Sequence, residues 1–249
     1  MRNPKFSLLF VLISSSISCD PRGGEQLYHL IANSDIPKTV LTTSVQGRPI
    51  YLYEMGTGDS MVVIFGGFHG DEILGVEFVQ RFAEYLAREG QHEFVAHVII
   101  IPVLNPDGLI MNTRVNANSV DINRNFPTAN WSGAYESNGN YPGESPASEP
   151  ETRAVIALLK KVKPQRIITV HTPLKVVNYD GPGLELANSM AQFNGYPVAG
   201  DIGYPTPGSF GTFAGKEKQI PVITLELPKA TLDMIWEPNR KALLQALAF

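Results

Sequence analysis

The chain has 249 residues, enough for one domain with a sizeable core. Hydrophobic residues make up 43% and charged residues 18%, with a formal net charge of -4 and scattered basic residues. That excludes a disordered or fibrous chain, and it argues against nucleic acid or an anionic membrane surface as partner, since both need a basic face.

Arg2 and Lys5 precede the apolar run Phe6 to Ile13, and small residues Ser14 to Ser18 lead to Cys19. A charged start, a short apolar stretch and a small-residue zone read as an export signal over 1–19, too short for a membrane span. A buried N-terminal strand or helix is the plainer alternative. Cys19 is the sole cysteine, so no intramolecular disulfide forms. Its setting after Ser16-Ile17-Ser18 resembles a bacterial lipoprotein box, which implies a lipid anchor; a plain cleaved leader or an incidental thiol competes with that reading. The expected location is exported: periplasmic, or held at the membrane through Cys19.

Residues 20–38 read as a short lead-in to a single catalytic domain over 20–249. Strands are expected at Thr39–Val45, Ile50–Glu54 and Met61–Phe65, the last continuous and apolar like a strand buried on both faces. Val76, Val79, Phe82, Ala83 and Leu86 give Ile73–Arg88 helical periodicity, ended near Gly90. A strand follows at Phe94–Val103, and Asn105-Pro106-Asp107-Gly108 signals a turn. Residues 109–147 are rich in Asn, Gly, Pro and Ser, and a long irregular stretch inside a domain is usually functional. Ser148-Glu149-Pro150-Glu151 reads as an N-cap followed by a helix running to about Val162. Strands return at Arg166–Val170 and Val222–Leu227, with helices near Leu184–Phe193 and at the C-terminus. The alternation predicts an α/β fold: a mixed, mostly parallel twisted sheet flanked by helices.

His69 and Glu72 stand three apart where Met61–Phe65 turns into a helix, so both side chains can converge on one point. Zinc accepts imidazole nitrogen and carboxylate oxygen, and a catalytic site uses three protein ligands. A lone His-x-x-Glu is also a common surface turn. Among the other histidines, His29 lies in the lead-in, His92 in a polar loop and His97 inside a strand. His171 closes the apolar strand Ile167-Ile168-Thr169-Val170, at the edge where open α/β sheets bind ligands, though a packed core histidine would look the same.

His69-x-x-Glu72, His171, Asn112-Thr113-Arg114-Val115-Asn116, Val120-Asp121-Ile122-Asn123-Arg124-Asn125-Phe126-Pro127 and Ile223-Thr224-Leu225-Glu226-Leu227-Pro228 occur in that order save that His171 follows the two middle motifs. Together they resemble the zinc carboxypeptidase A-type metallopeptidase family, over about residues 60 to 228. The resemblance implies one zinc ion per chain, held by His69, Glu72 and His171, with Glu226 as general base. It implies that Arg114 stabilises the developing oxyanion and that Asn123 and Arg124 grip the substrate's free carboxylate. Tyr204, ahead of Gly208-Ser209, matches the family's mobile tyrosine.

Several segments look most like bacterial murein peptide amidases: Asn105-Pro106-Asp107-Gly108, Tyr141-Pro142-Gly143, Ser148 to Glu151, His171-Thr172-Pro173-Leu174 and Gly203 to Gly211. That likeness implies hydrolysis of the bond between D-glutamate and meso-diaminopimelate in cell-wall peptides. Such amidases lack a leader, so an exported form would meet its muropeptide in the periplasm. A general carboxypeptidase on L-peptides is the competing enzyme reading, and a non-catalytic zinc- or peptide-binding module the competing non-enzyme one. No side chain in the sequence identifies itself as a reader of diaminopimelate.

Overall fold

The computed structural model describes residues 21–90 and 92–249; the expected leader and Cys19 lie outside the described residues. In chain order the regular elements are α1 (Pro21–Ala32), β1 (Lys38–Thr43), β2 (Pro49–Met55), β3 (Met61–Phe65), α2 (Ile73–Arg88), β4 (His97–Ile101) and α3 (Pro106–Met111). After two short 3-10 turns come α4 (Pro150–Val162), β5 (Arg166–His171), β6 (Leu174–Asp180), α5 (Leu184–Asn194), β7 (Val198–Ala199), a π-helix (Gly211–Glu217), β8 (Val222–Pro228) and α6 (Leu232–Ala248).

The strands form one sheet in the order β1-β2-β4-β3-β5-β8-β6-β7. Its centre is parallel: β3 pairs with β4 and β5, and β5 with β8, while β2 and β6 join antiparallel on either side. The continuous apolar runs explain why this centre is covered on both faces. Val62, Ile64, Ile168, Val170, Ile223 and Leu225 pack toward α2, α5 and α6. Val63, Phe65, Ile167 and Val222 face the other way, onto α4 and the ring cluster Phe68, Phe126 and Phe210. Toward the carboxyl ends of the strands that second face turns polar. Thr169 pairs with Thr224, and His171 with Glu226.

Several local expectations need correction. Asn105-Pro106-Asp107-Gly108 starts α3 rather than a turn, because Asn105 caps it by accepting the Gly108 amide at 2.9 Å and Pro106 suits a first helical position. The lead-in holds α1, which the two glycines Gly23 and Gly24 concealed. The strand expected over Phe94–Val103 is confined to His97–Ile101. The helix expected after Ser148-Glu149-Pro150-Glu151 runs over Pro150–Val162, with Glu149 at the N-cap position.

Candidate active site

β3 ends at Phe65 and the chain turns through Gly66 and Gly67 to His69, with Glu72 just before α2. Gly70 makes this turn possible by close approach, since a Cβ there would lie 1.9 Å from the Gly108 carbonyl carbon. His171 closes β5, and Glu226 sits beside it on β8. Three adjacent parallel strands thus deliver these side chains to one edge.

The first three of these groups are buried and converge. His69 Nδ1 lies 2.7 Å from Glu72 Oε1 and 3.2 Å from His171 Nδ1, and His171 Nδ1 lies 2.9 Å from Glu72 Oε2. The Thr172 amide also donates to Glu72 Oε2, at 3.2 Å. Among the described residues this is the group suited to a metal, its candidate ligand atoms all within 4.8 Å of one another. Zinc donors sit about 2.0–2.1 Å from the ion, which separates neighbouring donors of a tetrahedral site by roughly 3.3 Å. The observed spacings fit that ion, and so does the donor set of two imidazoles and a carboxylate.

The local field favours a cation. Burial works against charging His69, yet Glu72 and Asp121 outweigh it and raise its pKa to about 9. Burial pushes the Glu72 carboxyl up, but His69 and His171 pull it well below the usual carboxylate range. A proton or a metal ion would each answer this field.

Around this centre, Arg114 donates to Asp121 Oδ2 from Nε at 3.2 Å and from its terminal nitrogen at 3.1 Å. Its other terminal nitrogen is 3.8 Å from Glu72 Oε1. The 3-10 turn Ile122–Arg124 carries the next pair. Asn123 Oδ1 accepts the Phe210 amide at 2.9 Å, which leaves its Nδ2 as the end for a ligand oxygen. Arg124, largely buried, donates to the Asn123 carbonyl at 2.8 Å. Glu226 Oε2 accepts the Leu174 amide at 3.4 Å, and burial raises its carboxyl's pKa more than His171 lowers it.

All eight residues singled out in the sequence, His69, Glu72, Arg114, Asn123, Arg124, His171, Tyr204 and Glu226, line one cavity. Tyr204 stands half exposed on its wall. The other histidines are elsewhere: His97 pairs with Glu54 at 2.7 Å, and His29 lies near Glu25 on the solvent-facing side of α1. Asp121 went unassigned in the sequence. It is fully buried, and its Oδ1 lies 3.2 Å from His69 Nε2. Its place two residues before Asn123 was visible; the direction of its carboxylate was not.

Residues 27–182 match the zinc carboxypeptidase family. The chain belongs to that family. As a zinc carboxypeptidase relative it is a zinc-dependent hydrolase, and the buried His-Glu-His group suits the family's metal. It is 33% identical over 224 residues to murein peptide amidase A of Vibrio campbellii, covering 85% of this chain and 88% of that protein. The crystal structure of the murein-tripeptide amidase MpaA from Escherichia coli O157 superposes with a TM-score of 0.73 at 28% identity, over 87% of this chain and 94% of that one. Carboxypeptidase A from Helicoverpa armigera shares the fold at 19% identity and a TM-score of 0.71, over 90% of this chain and 69% of its own. Among the described residues no helix is long and apolar enough to cross a membrane.

Proposed function

We propose that this zinc carboxypeptidase relative hydrolyses murein peptides, at the amide bond between D-glutamate and meso-diaminopimelate or a similar bond beside a free carboxylate. The observation that carries the reading is one cavity in which a buried His-Glu-His group, a glutamate and an Asn-Arg pair stand together. Murein peptide amidases from Vibrio campbellii and Escherichia coli, at 33% and 34% identity, support the substrate class.

In this reading His69, Glu72 and His171 hold the zinc. The bound ion supplies a water activated near neutral pH and a Lewis acid for the scissile carbonyl. Asn123 and the Arg124 fork anchor the free carboxylate of the leaving residue through parallel hydrogen bonds. Glu226 takes the proton from the attacking water and returns it to the departing amine, a task suited to a carboxyl whose pKa burial has raised. Arg114, aligned by Asp121, donates to the oxyanion as it develops. Tyr204 covers the bound peptide from the cavity wall.

Residues 20–249 act as one catalytic domain, and 1–19 as an export leader that sends the enzyme to the periplasm. Lipidation at Cys19 would tether it there. Mass spectrometry of the mature N-terminus distinguishes an acylated Cys19, a plain cleaved start and an intact Met1.

The decisive assay offers L-Ala-γ-D-Glu-meso-diaminopimelate beside ordinary L-peptides and identifies the products. The expected result is release of diaminopimelate, loss of turnover on chelation and recovery with zinc. Cleavage of ordinary L-peptides alone, or full turnover after the metal has been stripped, overturns the proposal.

A further inference from the structure

The polar face beside the zinc group continues away from it in cross-strand rows. Thr169, Thr224 and Asn178 form the row next to His171 and Glu226, and Asp180 opposite Val222 forms the one beyond. Asp180 lies four residues along the sheet from the Glu226 row, roughly 13 Å of strand. Its carboxylate is largely buried yet lines the same cavity as Glu226 and Arg124.

Two features make Asp180 more than a packed acid. Its ion pair is with Lys216 Nζ, 3.3 Å from Oδ1, and the Lys216 side chain is 57% exposed. A half-exposed lysine is a weak reason to bury a carboxylate. The π-helix also meets it with bare backbone: a Cβ on Gly211 would lie 2.1 Å from Asp180 Oδ2, so any side chain there would displace the carboxylate.

Asp180 and Asn178 also line an adjoining hollow, which Lys216 lines and the zinc group does not. A side chain that runs from the Asn123–Arg124 clamp past Asn178 therefore meets a negative group and then a positive one.

We propose that Asp180 and Lys216 read the far end of the leaving residue's side chain, Asp180 taking an ammonium and Lys216 a second carboxylate. The pair complements a zwitterionic amino-acid head on a long apolar stem, the form of meso-diaminopimelate beyond its peptide-bonded end. A lysine side chain satisfies half of the pair, and an apolar side chain satisfies neither, leaving Asp180 and Lys216 only each other. The assignment rests on Asn123 and Arg124 holding the main carboxylate.

The test uses zinc-loaded wild type, Asp180→Asn and Lys216→Gln on two peptide series, one γ-D-glutamyl and one ordinary α-linked. Each series ends in meso-diaminopimelate, lysine or norleucine. The wild type is expected to prefer them in that order. Asp180→Asn should lose about 10- to 100-fold in kcat/KM on the first two and leave norleucine peptides unchanged, because only the first two carry the ammonium. Lys216→Gln should lose on diaminopimelate alone. Equal losses on all three endings, or no loss, overturn the assignment. If the α-linked series alone is cut and keeps the order, the proposed bond is wrong and the Asp180 assignment stands. If the γ-linked series is cut without any order, the reverse holds. Calorimetric titration of the three free amino acids gives the same ranking without turnover; equal affinities there also overturn it.

Discussion

Asp121 joins two parts of the site: Oδ1 lies 3.2 Å from His69 Nε2, while Oδ2 accepts from Arg114. With a metal held at Nδ1, this carboxylate would accept the Nε2 proton and fix the orientation of the ring. Burial raises the Asp121 carboxyl's pKa, but His69, Arg114 and Arg124 lower it far more, so the group stays charged.

Asp121→Asn should therefore weaken zinc binding by about 10- to 100-fold, the usual effect of losing such a partner. Competition against a chromophoric chelator measures it. Unchanged affinity would mean that the Asp121 contact does not orient the ligand.

Glu226→Gln should keep the full zinc content while kcat falls by about 100- to 10,000-fold, the range for a lost general base. Metal analysis and single-turnover rates on the same sample separate the two effects. Retained activity would remove Glu226 from the mechanism.

Arg124→Lys keeps the charge and loses the planar fork. A fall of about 10- to 100-fold in kcat/KM is expected, mostly through KM. The wild type should treat a peptide whose terminal carboxylate is amidated just as poorly, and the variant should handle that peptide no worse than wild type does. Steady-state kinetics on the four combinations decides it.

Glu151 predicts a pH effect on stability. Burial raises its pKa from an ordinary 4.5 to about 7, although the Val45 amide and Asn116 donate to it. A folded-state pKa above the unfolded one means that the native state holds the extra proton. Glu151's contribution is therefore full below pH 4.5 and declines as pH rises to about 7, by roughly 3 kcal/mol at most. Thermal unfolding from pH 5 to 8 should show the gap between wild type and Glu151→Gln shifting in favour of the variant. A constant gap contradicts it.

The strands that carry the chemistry were legible because they are apolar and buried on both faces, as with Met61–Phe65 and the run into His171. The residues expected to form the metal set and the clamp were picked out by motifs whose order was recognisable, and the structure brings them to one cavity. The placement of Asp180 was not visible, because it depends on β6 crossing beside β8 and on the bare glycine of a π-helix. β6 itself escaped notice: Leu174–Asp180 is exposed at its start and mixes lysine, asparagine and aspartate with its valines. Helix α1 was hidden by its glycines, and its burial of Tyr28 and Ile31 against Val103 and Leu109 is a tertiary effect.

The order of strands also governs when a growing polypeptide becomes able to cut. β8 is made after both β5 and β6 yet lies between them. Until it arrives, the ribosome has delivered two imidazoles and a carboxylate without the glutamate proposed to move protons. The centre of the sheet, with Glu226 beside His171, therefore closes only when this later segment inserts between two strands already made.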